Sequence, residues 1–206
     1  MIRLVKTPAL VRKLLPKYTW STDYPDQIHL TFDDGPNEQS THWILDQLDQ
    51  YEAKATFFCV GQAISQNGGL VKELIKKGHA VGNHTYSHRK ATKLSADEFS
   101  AEVRQCDEAL DDLSVSSQLF RPPYGVISRQ QAKAIPKKNI VFWSHLGWDF
   151  ISNINTMKIS YMLGNAAAGS IVLLHDNEKS FGNLQKMLVP MLESYKERGL
   201  KMTALI

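Results

Sequence analysis

The chain has 206 residues, 24 basic against 21 acidic side chains for a formal charge of +3, with 43% hydrophobic and 22% charged residues. That length suits one large domain better than two, and the composition excludes a disordered, collagenous or disulfide-scaffold protein. The longest aliphatic run, Ile171-Val172-Leu173-Leu174, falls far short of the ~20 apolar residues that a membrane-crossing helix needs.

Residues 1–26 form a basic arm: Arg3, Lys6, Arg12, Lys13 and Lys17 come before the first acid. Thr7 is the expected cap of a short helix with Pro8 at its first position, Leu10, Val11, Leu14 and Leu15 on one side, and Pro16 stopping it. A helix this short reads as a lid packed over the end of the domain, with peripheral contact to a membrane surface as the other reading. The basic residues interrupt every apolar stretch long enough for a secretion signal, so the arm reads as that of a cytoplasmic protein. No basic stripe interleaved with aromatics continues beyond it, which argues against a nucleic-acid partner.

Residues 27–206 alternate short β-rich runs with amphipathic stretches, the pattern of an α/β domain with mainly parallel strands. The expected strands are Ile28–Phe32, Ala55–Val60, His79–Gly82, Leu119–Arg121, Ile140–Trp143, Ile171–His175 and Lys201–Leu205. Ser95-Ala96-Asp97-Glu98 is a capping box opening a helix through about Leu113, with Phe99, Val103, Cys106 and Leu110 inward. Leu184, Met187, Leu188, Met191, Leu192 and Tyr195 make another apolar helical stripe. Cys59 and Cys106 lie in apolar and helical patterns and read as buried free thiols.

Polar clusters fall where strands end, the edge on which parallel sheets collect their chemistry. They are Thr31-Phe32-Asp33-Asp34-Gly35-Pro36, Asn83-His84-Thr85-Tyr86-Ser87-His88, Arg121-Pro122-Pro123-Tyr124-Gly125, Leu173-Leu174-His175-Asp176 and, more weakly, Trp143–Phe150. Adjacent carboxylates on a regular strand face opposite ways, but the turn that Gly35-Pro36 forces lets Asp33 and Asp34 reach one site. Two carboxylates that close stay ionised beside a cation. His84 and His88 are four apart, so one helical turn would align both imidazoles on a single ion, and with one Asp they form a three-ligand site with room for water and substrate. Zn2+ is the default metal for such a set, with Co2+, Ni2+ or Mn2+ compatible.

These motifs resemble, in order, those of the NodB-homology polysaccharide deacetylases, carbohydrate esterase family four. The resemblance runs from about Gln27 to the end and implies a distorted seven-stranded (β/α) barrel. It further implies that Asp34, His84 and His88 bind the metal, that Asp33 is the general base for attack of a metal-activated water, and that His175 is the general acid. A backbone N–H at Tyr124 would receive the oxyanion. Arg121 would pair with Asp33, Asp149 would tune His175, and Trp143 and Leu173 would wall the acyl methyl. The implied activity is removal of N-acetyl groups from an amino-sugar glycan or oligosaccharide, with a carbohydrate as partner.

Leu146-Gly147-Trp148-Asp149-Phe150 departs from the family's usual Asp-x-x-Asp-Trp, losing the first Asp and replacing the last Trp by Phe. The substrate-facing wall is therefore altered, with His145 and Trp148 as further candidates to line it. His29, His42 and His79 read as structural. Hydrolysis of an acetyl ester or another amide, and a non-catalytic carbohydrate-binding role, are the alternatives.

Overall fold

The computed structural model describes residues 4–206, so Arg3 of the arm lies outside the described residues. The β-branched and aromatic runs form short parallel strands: β1 (Gln27–Asp33), β2 (Ala55–Cys59), β3 (Ala80–Asn83), β4 (Leu119–Phe120), β5 (Asn139–Ile140), β6 (His145–Leu146), β7 (Ile171–His175) and β8 (Lys201–Met202). They are ordered β5-β4-β3-β2-β1-β7-β6, with β8 added against the start of β1. The helices are α1 (Ala9–Leu14), α2 (Glu38–Gln50), α3 (Gly61–Gln66), α4 (Gly68–Lys76), α5 (Ala96–Asp111), α6 (Arg129–Ala134), α7 (Thr156–Gly164) and α8 (Glu178–Glu197). Among the described residues no helix is long and apolar enough to cross a membrane.

The seven-stranded path curls into the distorted (β/α) barrel that the resemblance implied. Its distortion has a local cause. The expected strand Ile140–Trp143 does not form as one piece, because β5 and β6 belong to a single segment that passes from one edge of the sheet to the other. Val141 N–H donates to the Phe120 carbonyl (2.8 Å), and Ser144 N–H donates to that of Ile171 (3.0 Å). Between these points the carbonyls of Val141 and Phe142 accept from Arg121 Nε (3.2 Å) and Nη2 (3.0 Å). A buried guanidinium thus takes the place of a neighbouring strand.

The helical stripes pack as their spacing predicts. Leu184, Met187, Leu188, Met191, Leu192 and Tyr195 of α8 are all fully buried, each apolar side chain contributing roughly 1.5–3 kcal/mol. Phe99, Val103, Cys106 and Leu110 form the inner face of α5, whose capping box is reciprocal: Glu98 N–H donates to Ser95 Oγ, and Ser95 N–H to Glu98 Oε2. Cys59 and Cys106 are buried free thiols, and burial pushes both of them up.

The arm departs from expectation. Pro8, not Thr7, stands at the start of α1, because the Thr7 hydroxyl is turned away to donate to the Trp143 carbonyl (2.9 Å) and accepts no N–H of the first turn. Nor is α1 a packed lid, since none of its residues is buried. The arm is instead fastened on either side of α1 by Val5, Tyr18 and Trp20, all buried, which leaves the helix standing off the barrel.

Candidate functional site

Asp33 closes β1 and is buried, with Oδ1 accepting from Arg121 Nη1 at 2.7 Å. Arg121 is itself wholly buried, but each of its three side-chain nitrogens has an acceptor. Besides Asp33 and the two carbonyls it donates to Thr31 Oγ1 (2.8 Å), and its guanidinium lies 4.1 Å from the Phe58 ring centre. A buried cation with this many partners is a fixed frame for the carboxylate it holds. Asp33 Oδ2 is left facing His84 Nε2 at 3.7 Å.

Asp34 reaches the same site because its backbone is left-handed, at φ 80°, a conformation that Asp tolerates better than most residues. This rotation cancels the alternation that would have sent the two carboxylates to opposite faces. Asp34 Oδ1 lies 3.2 Å from His88 Nε2 and 3.6 Å from His84 Nε2, while Oδ2 accepts from Asn177 Nδ2 (2.7 Å). Burial raises the Asp34 carboxyl, but the neighbouring imidazoles of His88, His84 and His175 outweigh it and hold the group well below the usual carboxylate range.

His84 and His88 converge without the helical turn expected of their spacing. They sit on an irregular loop after β3, where Thr85 (φ 65°) and His88 (φ 54°) are both left-handed. Asn83 shapes the loop: its Oδ1 accepts from Thr85 N–H (2.8 Å), and its Nδ2 donates to the Val103 carbonyl and to Asp107. Glu102 of α5 takes both the N–H and the hydroxyl of Ser87.

This set fits a cation on chemical grounds. His84 Nδ1 faces the Arg121 carbonyl at 2.7 Å, and a carbonyl only accepts, so Nδ1 carries the proton and Nε2 presents a lone pair to Asp34. Asp34 Oδ1 is buried without a hydrogen-bond partner. An orphaned carboxylate oxygen beside the His84 lone pair and the His88 imidazole is a donor set for a metal ion, and the ligand atoms of Asp34, His84 and His88 all lie within 4.8 Å of one another.

Across the rim, His175 closes β7. Asp149 accepts from its Nδ1 (2.8 Å) and from its backbone N–H (2.7 Å). Burial disfavours the imidazolium, but the Asp149 carboxylate, with Asp34 and Asp33 behind it, pushes the histidine up to about 9. Asp149 is wholly buried, and its loop is held by Asn183 of α8, whose Nδ2 donates to the carbonyls of Asp149 and Ile151.

Around this centre, Tyr124 has φ 60°, and its ring sits 4.8 Å from that of His88. Trp143 is half-buried against Gly125, where an added Cβ would come within 2.4 Å of its ring. Leu173 is buried in the sheet between Thr31 and Leu146. Phe150 meets His175 edge-on at 4.8 Å, and Trp148 stands 5.7 Å behind Phe150. His145 does not line this wall. It is buried under the arm beside Ser144, where burial, with Lys6 and Arg12 nearby, pushes it down to about 4. His29, His42 and His79 lie outside the cluster, bonded to Thr22, beside Glu73 and bonded to Ala55 N–H respectively.

Two residues of the site carried no assignment from sequence. Asn177 joins Asp34 to the start of α8, its Oδ1 accepting from Ser180 N–H (2.9 Å). Asp176 is buried behind the Asp33–Gly35 turn: its N–H donates to the Asp33 carbonyl (2.7 Å), and it accepts from Ser40 Oγ and Thr41 Oγ1 (2.5 Å each). Burial and the charge of Asp34 push Asp176 up to about 6 against those hydrogen bonds. A Cβ at Gly35 would fall 2.2 Å from Asp176 Oδ2, so the glycine of Asp-Asp-Gly-Pro makes room for this carboxylate. The Asn-x-x-Ser spacing of Asn177 and Ser180 was a readable cap signal, whereas Asp176 lay in a strand-end cluster with nothing local to give it a role.

The chain has relatives among known proteins. The family model described as polysaccharide deacetylase matches residues 21–143. A peptidoglycan-N-acetylglucosamine deacetylase of Bacillus cereus is 35% identical over 197 residues, 91% of this chain and 70% of that one. The peptidoglycan-N-acetylmuramic acid deacetylase PdaC of Bacillus subtilis is 31% identical over 163 residues, 79% of this chain but only 35% of that protein. Among solved structures, a peptidoglycan N-acetylglucosamine deacetylase in complex with 4-naphthalen-1-yl-N-oxidanyl-benzamide superposes with a TM-score of 0.87 at 32% identity, covering 97% of this chain and 95% of that one. With the motifs, the barrel and these relatives in accord, the chain belongs to the polysaccharide deacetylases of carbohydrate esterase family four, metal-dependent hydrolases that remove N-acetyl groups from amino-sugar glycans.

Proposed function

We propose that the chain deacetylates N-acetylglucosamine units of a peptidoglycan-type glycan, with Asp34, His84 and His88 holding one divalent cation, zinc as the first choice and cobalt, nickel or manganese as substitutes. The carrying observation is that one rim holds an Arg-fixed carboxylate, an orphaned carboxylate facing two imidazoles, and a histidine hydrogen-bonded to the buried Asp149. The relatives' substrates point to peptidoglycan. A cation in such a site supplies Lewis-acid polarisation of the amide carbonyl and of the attacking water.

The protein's own groups account for the proton movements. Asp33 Oδ1 is occupied by Arg121, so Oδ2 is the oxygen that takes the proton from water as it attacks. The Tyr124 N–H, beyond two prolines that have none, receives the developing negative charge of the carbonyl oxygen. His175 protonates the sugar nitrogen as the C–N bond breaks, because an amine is a poor leaving group as an anion; acetate and a free amine result. Its protonation near neutral pH follows from Asp149. Trp143 and Leu173 enclose the acyl methyl, Phe150 and Trp148 supply the altered wall beside His175, and Asn177 positions Asp34.

The test is acetate release by metal-stripped protein, with and without added zinc or cobalt, on chitin oligomers, peptidoglycan fragments and a small acetyl ester. Metal-restored release from the amino sugars, with peptidoglycan fragments preferred, is expected. Release from the ester alone would overturn the amide assignment, and a preference for chitin oligomers would overturn the peptidoglycan assignment.

A further inference from the structure

The arm presents a surface that the deacetylase reading does not use. It is a mounted element: Leu146 N–H donates to Val5 O and Thr7 N–H to Ser144 O (2.8 Å each), and Thr19 exchanges backbone bonds with Ile140 and Phe142 (3.0 and 2.8 Å). Trp20 stacks on Phe142 at 4.5 Å. Held between these two fastenings, α1 keeps its apolar residues in solvent. Leu10 is 67% exposed and Leu14 69%, with Leu4 at 55% on the same arm. An ordinary surface helix turns such a stripe to the core, and a contiguous apolar patch left outside marks a contact surface.

The charge of the patch identifies what it contacts. Residues 4–22 hold Lys6, Arg12, Lys13 and Lys17 and no acid. Val11, Leu14 and Leu15 face Val126, Ile127 and Arg129 across a groove of about 510 Å³. That groove adjoins Tyr124, whose ring touches His88 and carries the Lys90 ammonium 5.2 Å from its centre. Protruding leucines flanked by cations alone match an anionic bilayer surface, where apolar side chains enter the acyl boundary while lysine and arginine meet the headgroups. A soluble polyanion would engage the cations but leave Leu10 and Leu14 in water.

We infer that the arm is a docking surface for an anionic lipid bilayer, holding the mouth of the site beside Tyr124 near that membrane. The test is sedimentation of the full chain with phosphatidylglycerol or phosphatidylcholine vesicles, read without reference to activity. Binding to phosphatidylglycerol and little to phosphatidylcholine is expected. The partition coefficient should fall at least tenfold in the Leu10→Ser/Leu14→Ser double variant, and roughly fivefold for each of Lys13→Gln and Lys17→Gln. Deacetylation of a soluble chitin oligomer should be unchanged in all of these. Three results would overturn the inference: no binding to phosphatidylglycerol; binding indifferent to the leucines and abolished by a soluble polyphosphate competitor; or a wild-type dimer that the leucine variant dissociates, showing that a second copy covers the patch.

Discussion

The two ends of the barrel both bury histidine among polar groups, yet they are different kinds of place. At the end where β1 begins, His29 has both ring nitrogens engaged, by Thr22 Oγ1 (2.9 Å) and the Thr203 carbonyl (3.0 Å), and burial lowers it. A cavity of about 640 Å³ opens beside it. At the opposite rim, charges face one another incompletely answered: Asp34 Oδ1 has no donor, and His175 is driven up by carboxylates. The cavity marks satisfied structure and the rim marks chemistry, because electrostatic imbalance fixed by packing, rather than empty volume, is what a reaction draws on.

The sharpest way to break that contrast is to remove the imbalance. Asp34→Ala or His84→Ala is expected to abolish stoichiometric metal binding and turnover together, measured by metal analysis of the purified protein alongside acetate release. Next in size, Asp33→Asn should keep the metal and lower kcat by about 10²–10⁴; near-normal turnover would remove Asp33 as the base. Asn177→Ala should weaken metal affinity by about 10–100-fold in a chelator competition. It should also cost about 1 kcal/mol of stability, since the same side chain caps α8.

The pH dependence separates the two ends. A His175 raised to about 9 acts as an acid until pH passes that value, so activity should fall on the alkaline side near there. The Asp149→Asn variant should move the fall towards the ordinary histidine value of 6.5. The linked stability has the same sign: the contribution of the His175–Asp149 pair is full below 6.5 and lost as pH rises through about 9. Smallest of all, His29→Ala should lower the melting temperature while leaving metal affinity and the pH profile unchanged. A shift in either would show that the far end is coupled to the rim.

Much of this was legible in the chain because it is local. The apolar periods of α5 and α8, the Ser95–Glu98 capping box and the four rim motifs depend on spacing that survives any arrangement of the barrel. The pairings Arg121–Asp33 and Asp149–His175 were expected through the resemblance and are present at 2.7 and 2.8 Å. Other readings failed where a distant partner competed. Thr7 was a sound cap until Trp143 offered its carbonyl, and Ile140–Trp143 a sound strand until Arg121 claimed two of its carbonyls. His145 belonged to the wall by sequence and to the arm's underside by packing.

By itself, then, the sequence determined which residues gather at the strand ends and what chemistry their types allow, since hydrophobic period and side-chain pKa are properties of short stretches. Tertiary structure alone decided how they face one another. The His84–His88 loop converges through left-handed backbone held by Asn83 and Glu102 rather than through a helix. Asp176 shapes the Asp33–Gly35 turn from a distant part of the chain, and the arm is mounted with its leucines outward. Each of these depends on groups far apart in sequence, whose competition for one another's hydrogen bonds is settled only when the chain has closed around them.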